Sequence, residues 1–151
     1  MVLQPGDDAP AVQARNQHGE LIDLETDGPT VVYFYPRDDT PGCTVEAKQF
    51  ERERADYEEA GVAIVGVSTD DVESHAAFCE AYDLGFDLLA DPTGKVAEAF
   101  DVPLRRNAAA RTTFVLVDGE VHAVYTKVDP DGHARQVLGE LLDEGVVTFG
   151  P

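Results

Sequence analysis

Hydrophobic and polar positions along the chain predict strands that alternate with helices. Three short apolar runs, at residues 31–35, 62–67 and 86–89, have the length of buried strands. Each is followed by a segment with helical periodicity, at residues 41–60, 71–82 and 96–100. Nearly continuous apolar strands that alternate with helices are typical of parallel strands covered on both faces.

Two hairpins frame this alternation. Residues 12–24 predict an N-terminal β-hairpin, and residues 113–117 and 121–127 predict another, followed by a last helix at 132–144. No repeat, low-complexity tract or linker interrupts the pattern, so residues 1–151 are expected to form one domain. The order of elements predicts an α/β, thioredoxin-like fold: a mixed central sheet flanked by helices, with the N-terminal β-hairpin added.

Acidic residues dominate the composition. Thirty Asp and Glu face eleven Lys and Arg, which gives a formal net charge of −19. This charge repels phosphate groups, so neither nucleic acid nor an anionic membrane is an expected partner. The acids are dispersed among apolar positions, and we interpret them as adaptation to a salty cytoplasm. An acidic protein of an ordinary cell is the alternative interpretation.

We infer the cellular location and the expected cofactors from sequence signals that the chain does not show. The first residues carry neither a basic patch nor an apolar run, and no apolar stretch has the length of a membrane span, so a cytoplasmic protein is expected. The four histidines, His18, His75, His122 and His133, show no ligand spacing. We therefore expect no metal or other cofactor and interpret each histidine as a surface or loop residue.

Cys43 and Cys79 are the two cysteines, and isolated cysteines of this kind are more often redox-active or catalytic than a structural staple. Cys43 is predicted in the first turn of a helix, after Thr40 as N-cap and Pro41 at the first helical position. Thiols at helix N-termini or beside a cation ionise more readily than free thiols, so this position suits a nucleophile. A small thiol buried against the sheet is the structural alternative.

The residues around Cys43 resemble the peroxiredoxin signature Pro-x-x-x-Thr-x-x-Cys, which is matched by Pro36, Thr40 and Cys43. The longer run at 34–46, Phe-Tyr-Pro-x-Asp-x-Thr-Pro-Gly-Cys-Thr-x-Glu, is similar to the bacterioferritin-comigratory (Q-type) branch of that family. The resemblance continues through residues 65–68, 89–91 and 111–114, so it covers most of the chain.

The resemblance implies a thiol peroxidase that reduces hydrogen peroxide and organic hydroperoxides. Cys43 would attack a peroxide oxygen and become a sulfenic acid, with the Thr40 hydroxyl aligning the reacting atoms. Arg111 would stabilise the thiolate and the charge on the leaving oxygen, although on its own it would be interpreted as a surface ion pair. The pocket would include Pro36, which shields it from water, with Gly42 and Glu46, which orients the arginine. Three further arginines are interpreted as solvated charges: Arg37, Arg105 and Arg106.

The branch also implies how the enzyme is reset. Some members carry a resolving cysteine five residues after the first, where this chain has Lys48. Cys79 resembles the resolving cysteine that other members carry on the next helix. A Cys43–Cys79 disulfide would then be reduced by thioredoxin or a similar dithiol protein, and the branch favours a monomer. Cys79 also lies on a helical stripe where a buried core cysteine would sit, so both interpretations stay open.

Three other functions remain as alternatives. One is a one-cysteine peroxidase that uses an external thiol, and another is an acyl-transferring cysteine hydrolase. The hydrolase would need a histidine base, and no histidine lies near Cys43 in the sequence. The third is a non-catalytic thioredoxin-like binding module, in which Cys43 would react slowly with peroxide.

Overall fold

The structure is a computed structural model that describes residues 2–24 and 28–149. Its elements follow one another as β1 (Gln13–Arg15), β2 (Leu21–Asp23), β3 (Thr30–Phe34), α1 (Pro41–Glu59), β4 (Ala63–Ser68), α2 (Val72–Tyr82), β5 (Asp87–Ala90), α3 (Lys95–Ala99), β6 (Leu104–Arg105), β7 (Ala108–Ala109), β8 (Thr112–Val117), β9 (Glu120–Thr126) and α4 (His133–Asp143). The predicted alternation of strands and helices, the N-terminal hairpin and the second hairpin are confirmed, with bounds shifted by about one residue.

Seven strands form the central sheet, in the order β2-β1-β5-β4-β3-β8-β9. The apolar strands β3, β4 and β5 run parallel, whereas β1, β2, β8 and β9 pair antiparallel with their neighbours. The mixed sheet of the predicted α/β fold is therefore present. All five residues of β3 are buried, as expected for a strand with packed layers on both faces.

Alternate residues of β3 point into two separate cores. Tyr33 packs on the face that carries α1, α2 and α4, where its ring stacks on Phe50 at 4.5 Å. Phe34 points to the opposite face, which is covered by α3 and the N-terminal hairpin, and it contacts Phe100 and Phe114. The side chains of both cysteines belong to the first core, so the chemistry is expected on that side of the sheet.

A further small hairpin, formed by β6 and β7, was not predicted from the sequence. Its turn is formed by Arg106 and Asn107, whose φ angles of 51° and 61° are the left-handed values that tight hairpin turns use. The hairpin brings the backbone of this segment to the end of β4, where the carbonyl of Asn107 accepts a hydrogen bond from Thr69.

Two of the histidine assignments were wrong. His75 and His133 are buried, with exposures of 0% and 3%, and each ring is hydrogen-bonded inside the molecule, which offsets the cost of burying its polar nitrogens. His133 pairs through Nε2 with the hydroxyl of Thr113 at 2.8 Å, and burial lowers its pKa to about 4. No helix among the described residues is long and apolar enough to cross a membrane.

Candidate active site

Cys43 lies in the first turn of α1, which begins after the loop of residues 35–40 that follows β3. Thr40 is the N-cap, with extended backbone, and Pro41 is the first helical residue, as the sequence predicts. The hydroxyl of Thr40 does not cap the helix. It donates instead to the carbonyl of Arg37 at 2.9 Å. The positive end of α1 therefore faces Cys43, which is 1% exposed, without a side-chain cap that competes for it.

Arg111 reaches Cys43 because of the sheet register. β8 pairs antiparallel with β3, and Thr112 lies opposite Phe34, so the residue before β8 arrives at the start of α1. The Nη2 of Arg111 lies 3.4 Å from Cys43 Sγ, and its Nη1 donates to Glu46 Oε1 at 2.7 Å. One guanidinium thus binds the sulfur and a buried carboxylate with two different nitrogens.

Gly42 makes this approach possible. A Cβ built on Gly42 would lie 3.1 Å from Arg111 Nη2 and 3.6 Å from Pro130 Cγ. The first distance is tighter than most real contacts of a Cβ atom, so with a larger residue the guanidinium would have to shift by a few tenths of an ångström. The structure therefore places Gly42 beneath the arginine, next to the sulfur.

Glu46 is a fully buried carboxyl with one oxygen unpaired. Its side chain is 0% exposed, and Oε2 has no hydrogen-bond partner among the described residues. Burial raises the pKa of Glu46 to about 7, although Arg111 acts in the opposite direction. Burial tends to lower the pKa of Arg111, but the charges of Glu46 and Cys43 outweigh it and raise that pKa.

The remaining predicted residues lie in or near the loop that leads to α1. Pro36 and Thr40 are both half-buried there. Arg37 is exposed and donates to the carbonyl of Arg106 at 3.2 Å. Arg105 and Arg106 are exposed as well, and none of these three arginines is hydrogen-bonded to Cys43 in the described part of the chain, in keeping with their interpretation as solvated charges.

Cys79 lies on α2 as a free thiol, 8% exposed, in the same core as Cys43. Burial raises its pKa to about 12, and the carboxylate of Asp38 adds to the effect. In this conformation Cys79 is therefore a protonated thiol and a poor nucleophile.

A buried polar network between the active-site loop and α2 was missed by the sequence analysis. His75 Nδ1 lies 2.7 Å from Asp38 Oδ2, and Nε2 lies 3.0 Å from the carbonyl oxygen of Leu89. Asp38 also accepts from the hydroxyls of Tyr35 at 2.6 Å and Ser74 at 2.8 Å. A signal was available, since His75 shares the apolar helical stripe that contains Cys79.

The network is also the place where a metal ion would be sought. Ligand atoms of Asp38, Asp70 and His75 lie within 4.8 Å of one another. The oxygens are already used as hydrogen-bond acceptors: Asp70 Oδ2 accepts from the backbone N–H of Asp38 and from the hydroxyl of Ser68, each at 2.7 Å. Carboxylate oxygens of this cluster therefore already accept hydrogen bonds from within the protein.

Comparison with known proteins identifies the family to which this geometry belongs. The model of the AhpC/TSA family matches residues 5–124. Peroxiredoxin Bcp of Bacillus subtilis is 37% identical over 153 residues, which cover 95% of this chain and 98% of that protein. The chain belongs to the Bcp and Q-type peroxiredoxins of the AhpC/TSA family. The peroxiredoxin resemblance stated for residues 34–46 is confirmed.

Solved peroxiredoxin structures agree with the fold. The crystal structure of peroxidoxin BcpB from Mycobacterium tuberculosis has a TM-score of 0.87 at 34% identity and covers 93% of this chain and 97% of its own. Two cysteine-to-serine mutants of Xanthomonas campestris peroxiredoxin Q each give a TM-score of 0.86 at 32% identity, covering 94% and 99%. The thioredoxin-like architecture is thereby confirmed, and the family indicates a thiol peroxidase, an oxidoreductase that acts on peroxides with a thiol reductant.

Proposed function

We propose that this peroxiredoxin reduces hydrogen peroxide and organic hydroperoxides through Cys43, with Cys79 as its resolving cysteine. Thioredoxin or a similar dithiol protein would restore both thiols. The proposal rests first on the contact of 3.4 Å between Arg111 Nη2 and Cys43 Sγ at the N-terminus of α1. A cation and a helix N-terminus that meet at one sulfur favour its thiolate, which is the form that attacks peroxide.

In the proposed reaction the Cys43 thiolate attacks one peroxide oxygen and the O–O bond breaks. The sulfur becomes a sulfenic acid, and the other oxygen takes up a proton and leaves as water or an alcohol. Negative charge moves from the sulfur to the leaving oxygen, and Arg111 is placed to stabilise both ends of that transfer. Thr40 would align the peroxide, Glu46 would orient Arg111, and Pro36 and Gly42 would shape the pocket.

Cys79 would then attack the sulfenic sulfur, expel water and form the Cys43–Cys79 disulfide. Because Cys79 is packed in the core at 8% exposure, and burial there also keeps its thiol protonated, we expect this step to involve local unwinding of α2. The spacing of the cysteines supports the assignment. The positions replaced in the two Xanthomonas campestris mutants lie 36 residues apart, which is also the separation of Cys43 and Cys79.

A stopped-flow peroxide assay on wild type, Cys43→Ser and Cys79→Ser tests the proposal, with thioredoxin present and absent. We expect Cys43→Ser to lose the reaction and Cys79→Ser to complete one turnover without cycling on thioredoxin. Full cycling of Cys79→Ser with thioredoxin would instead support the one-cysteine alternative. A slow, substoichiometric loss of the Cys43 thiol in wild type would support the non-catalytic binding module.

We further propose that the protein acts as a monomer in the cytoplasm, as its branch of the family suggests. Light scattering on the reduced and the oxidised protein tests the oligomeric state. A dimer in either redox state would contradict the proposal.

A further inference from the structure

We infer that Asp38 and His75 are positioning residues that hold the active-site loop and α2 together, and that their pairing keeps Cys79 out of the reaction until α2 opens. Asp38 lies five residues before Cys43, in the loop that leads to α1. His75 lies one helical turn before Cys79, on the same face of α2. The pair therefore connects the two segments that carry the two cysteines.

Both ring nitrogens of His75 have a buried hydrogen-bond partner. Nε2 faces the carbonyl oxygen of Leu89, which can only accept. Nδ1 faces Oδ2 of Asp38, a carboxylate that already accepts from the hydroxyls of Tyr35 and Ser74. His75 thus bridges the loop to the end of β5 through its two ring nitrogens.

The pair is buried at both ends. The side chains of His75 and Asp38 are 0% and 4% exposed. Removing either partner costs the other one of its buried hydrogen bonds, so the bridge resists opening more than an exposed contact would. Two further hydrogen bonds join this loop to α2. The Ser74 hydroxyl donates to Asp38 at 2.8 Å, and the Tyr82 hydroxyl donates to Asp39 in an exposed and correspondingly weaker contact.

The backbone of the loop is held as well. The N–H of Asp38 donates to Asp70 Oδ2 at 2.7 Å, just beyond the end of β4. When the Asp38–His75 pair is intact, the loop that carries Pro36 and Thr40 is therefore held both by the sheet and by α2. When the pair separates, α2 loses its buried polar anchor one turn from Cys79 and unwinds more readily.

The pair would therefore set how often Cys79 becomes available to the sulfenic acid. This consequence for catalysis rests on the proposed function, whereas the effect on the opening of α2 does not. The two can be measured apart, because the chain has only two cysteines and a Cys43→Ser background leaves Cys79 as the single thiol.

The test compares Asp38→Asn and His75→Phe with His133→Phe as a matched control. His133 is also a buried histidine with a side-chain hydrogen bond, but it lies on α4 and contacts Thr113. In the Cys43→Ser background, we expect alkylation of Cys79 by iodoacetamide to be about tenfold faster with either variant of the pair and changed less than about twofold with His133→Phe.

The same substitutions in the chain with both cysteines separate the catalytic steps. We expect disulfide formation after one equivalent of peroxide to accelerate by about tenfold, while the first reaction of Cys43 is not accelerated. If His75→Phe does not fold, Asp38→Asn and the milder Ser74→Ala carry the test. Unchanged alkylation in the pair variants, or an equal increase in His133→Phe, would overturn the inference. Absence of any peroxide reaction, with alkylation increased as expected, would overturn the proposed function alone.

Discussion

Arg111 serves two partners that need it in different ways. The sulfur of Cys43 needs positive charge close by, and the buried carboxyl of Glu46 needs a donor for at least one of its oxygens. Because the guanidinium is planar and carries several donors in fixed directions, it can contact both from one position. A lysine at this position would keep the positive charge, but its ammonium group could contact only one of the two partners.

Arg111→Lys is expected to slow the reaction of Cys43 with peroxide by about 10²–10³-fold, although the charge is kept, because the forked contact to sulfur and carboxylate is lost. The second-order rate constant from stopped-flow fluorescence or thiol titration measures the effect. Arg37→Lys is the control, since Arg37 is exposed and bound to a backbone carbonyl. Equal rate constants for Arg111→Lys and wild type would show that the position of the cation does not matter.

Glu46 lowers the free energy of unfolding of the protein near neutral pH. Its folded-state pKa, about 7, lies above its ordinary value of 4.5 because burial disfavours the charged form more than Arg111 favours it. A raised pKa contributes stability that is complete below the unfolded-state value and is lost as the pH rises through the folded-state value. Stability is therefore lost between about pH 4.5 and pH 7.

Glu46→Gln is expected to remove this dependence, since glutamine stays uncharged. Relative to the variant, the wild type should lose about 2–3 kcal/mol of unfolding free energy between pH 5 and pH 8, an order-of-magnitude figure from the size of the pKa shift. Urea unfolding of both proteins across that range measures the difference. Parallel stability curves would mean that Glu46 is ionised in the folded protein throughout.

At the scale of single residues, the sequence predicted where a residue lies along an element better than it predicted which groups surround its side chain. The order Thr40, Pro41, Cys43 placed the sulfur in the first turn of α1, because caps and N-terminal prolines are local signals. That Thr40 would bond to Arg37 instead of capping the helix depends on how the loop folds back, which no local pattern records. The pairing of His75 with Asp38 was missed for the same reason, since the two residues are distant in sequence, although the apolar stripe that His75 shares with Cys79 was a local signal of its burial.

At the scale of elements, the two helices that carry cysteines begin differently. The N-cap of α1 makes no side-chain bond to the helix, whereas Asp71 Oδ1 accepts from the N–H of Ser74 at 2.8 Å at the start of α2. α2 also has no basic residue in its last turn to complement the helix dipole. The stability of α2 therefore depends on its cap and on the packing of its inner face.

Asp71→Ala is expected to destabilise the protein by about 1 kcal/mol, because the first turn of α2 loses its cap. Hydrogen exchange should accelerate for the amides of α2 and not for those of α1. Asp129→Ala is a suitable control, since Asp129 accepts a similar backbone bond from Asp131 in an exposed loop outside any helix. Exchange that accelerates equally in both helices would contradict a local effect of the cap.

Strands and helices with hydrophobic periodicity were predicted from the sequence, whereas the β6–β7 hairpin, which shows none, was not. β3, β4 and β5 are apolar and β8 and β9 surround an Asp118-Gly119 turn, so each left a signal. The strands β6 and β7 have two residues each, too few for a periodic pattern. Their position follows from contacts such as that of Thr69 with the backbone at Asn107, which only the folded chain brings together.

At the scale of the whole molecule, acidic charge is left largely uncompensated. Among residues 2–24 and 28–149, the ion pairs with arginine involve four carboxyl groups: Glu46, Glu51, Glu53 and Glu58. Most of the 30 acidic side chains therefore repel one another across the surface with little local relief. Such repulsion acts on the compact state more than on the expanded unfolded chain, because folding brings the charges closer together.

Raising the salt concentration is expected to stabilise this protein. Screening shortens the Debye length from about 10 Å at 0.1 M salt to about 3 Å at 1 M. Salt weakens both the repulsion among the many acidic side chains and the attraction within the few exposed ion pairs, and the loss of repulsion is the larger effect. The melting temperature should rise steadily with KCl over that range.

The double variant Glu59→Gln/Glu80→Gln removes two exposed acids from the C-terminal halves of α1 and α2, where negative charge also opposes the helix dipole. It should melt higher than wild type at low salt and approach it at high salt. A melting temperature independent of KCl, with no gap between the two proteins at low salt, would contradict both the repulsion and the interpretation of the surface as an adaptation to a salty cytoplasm.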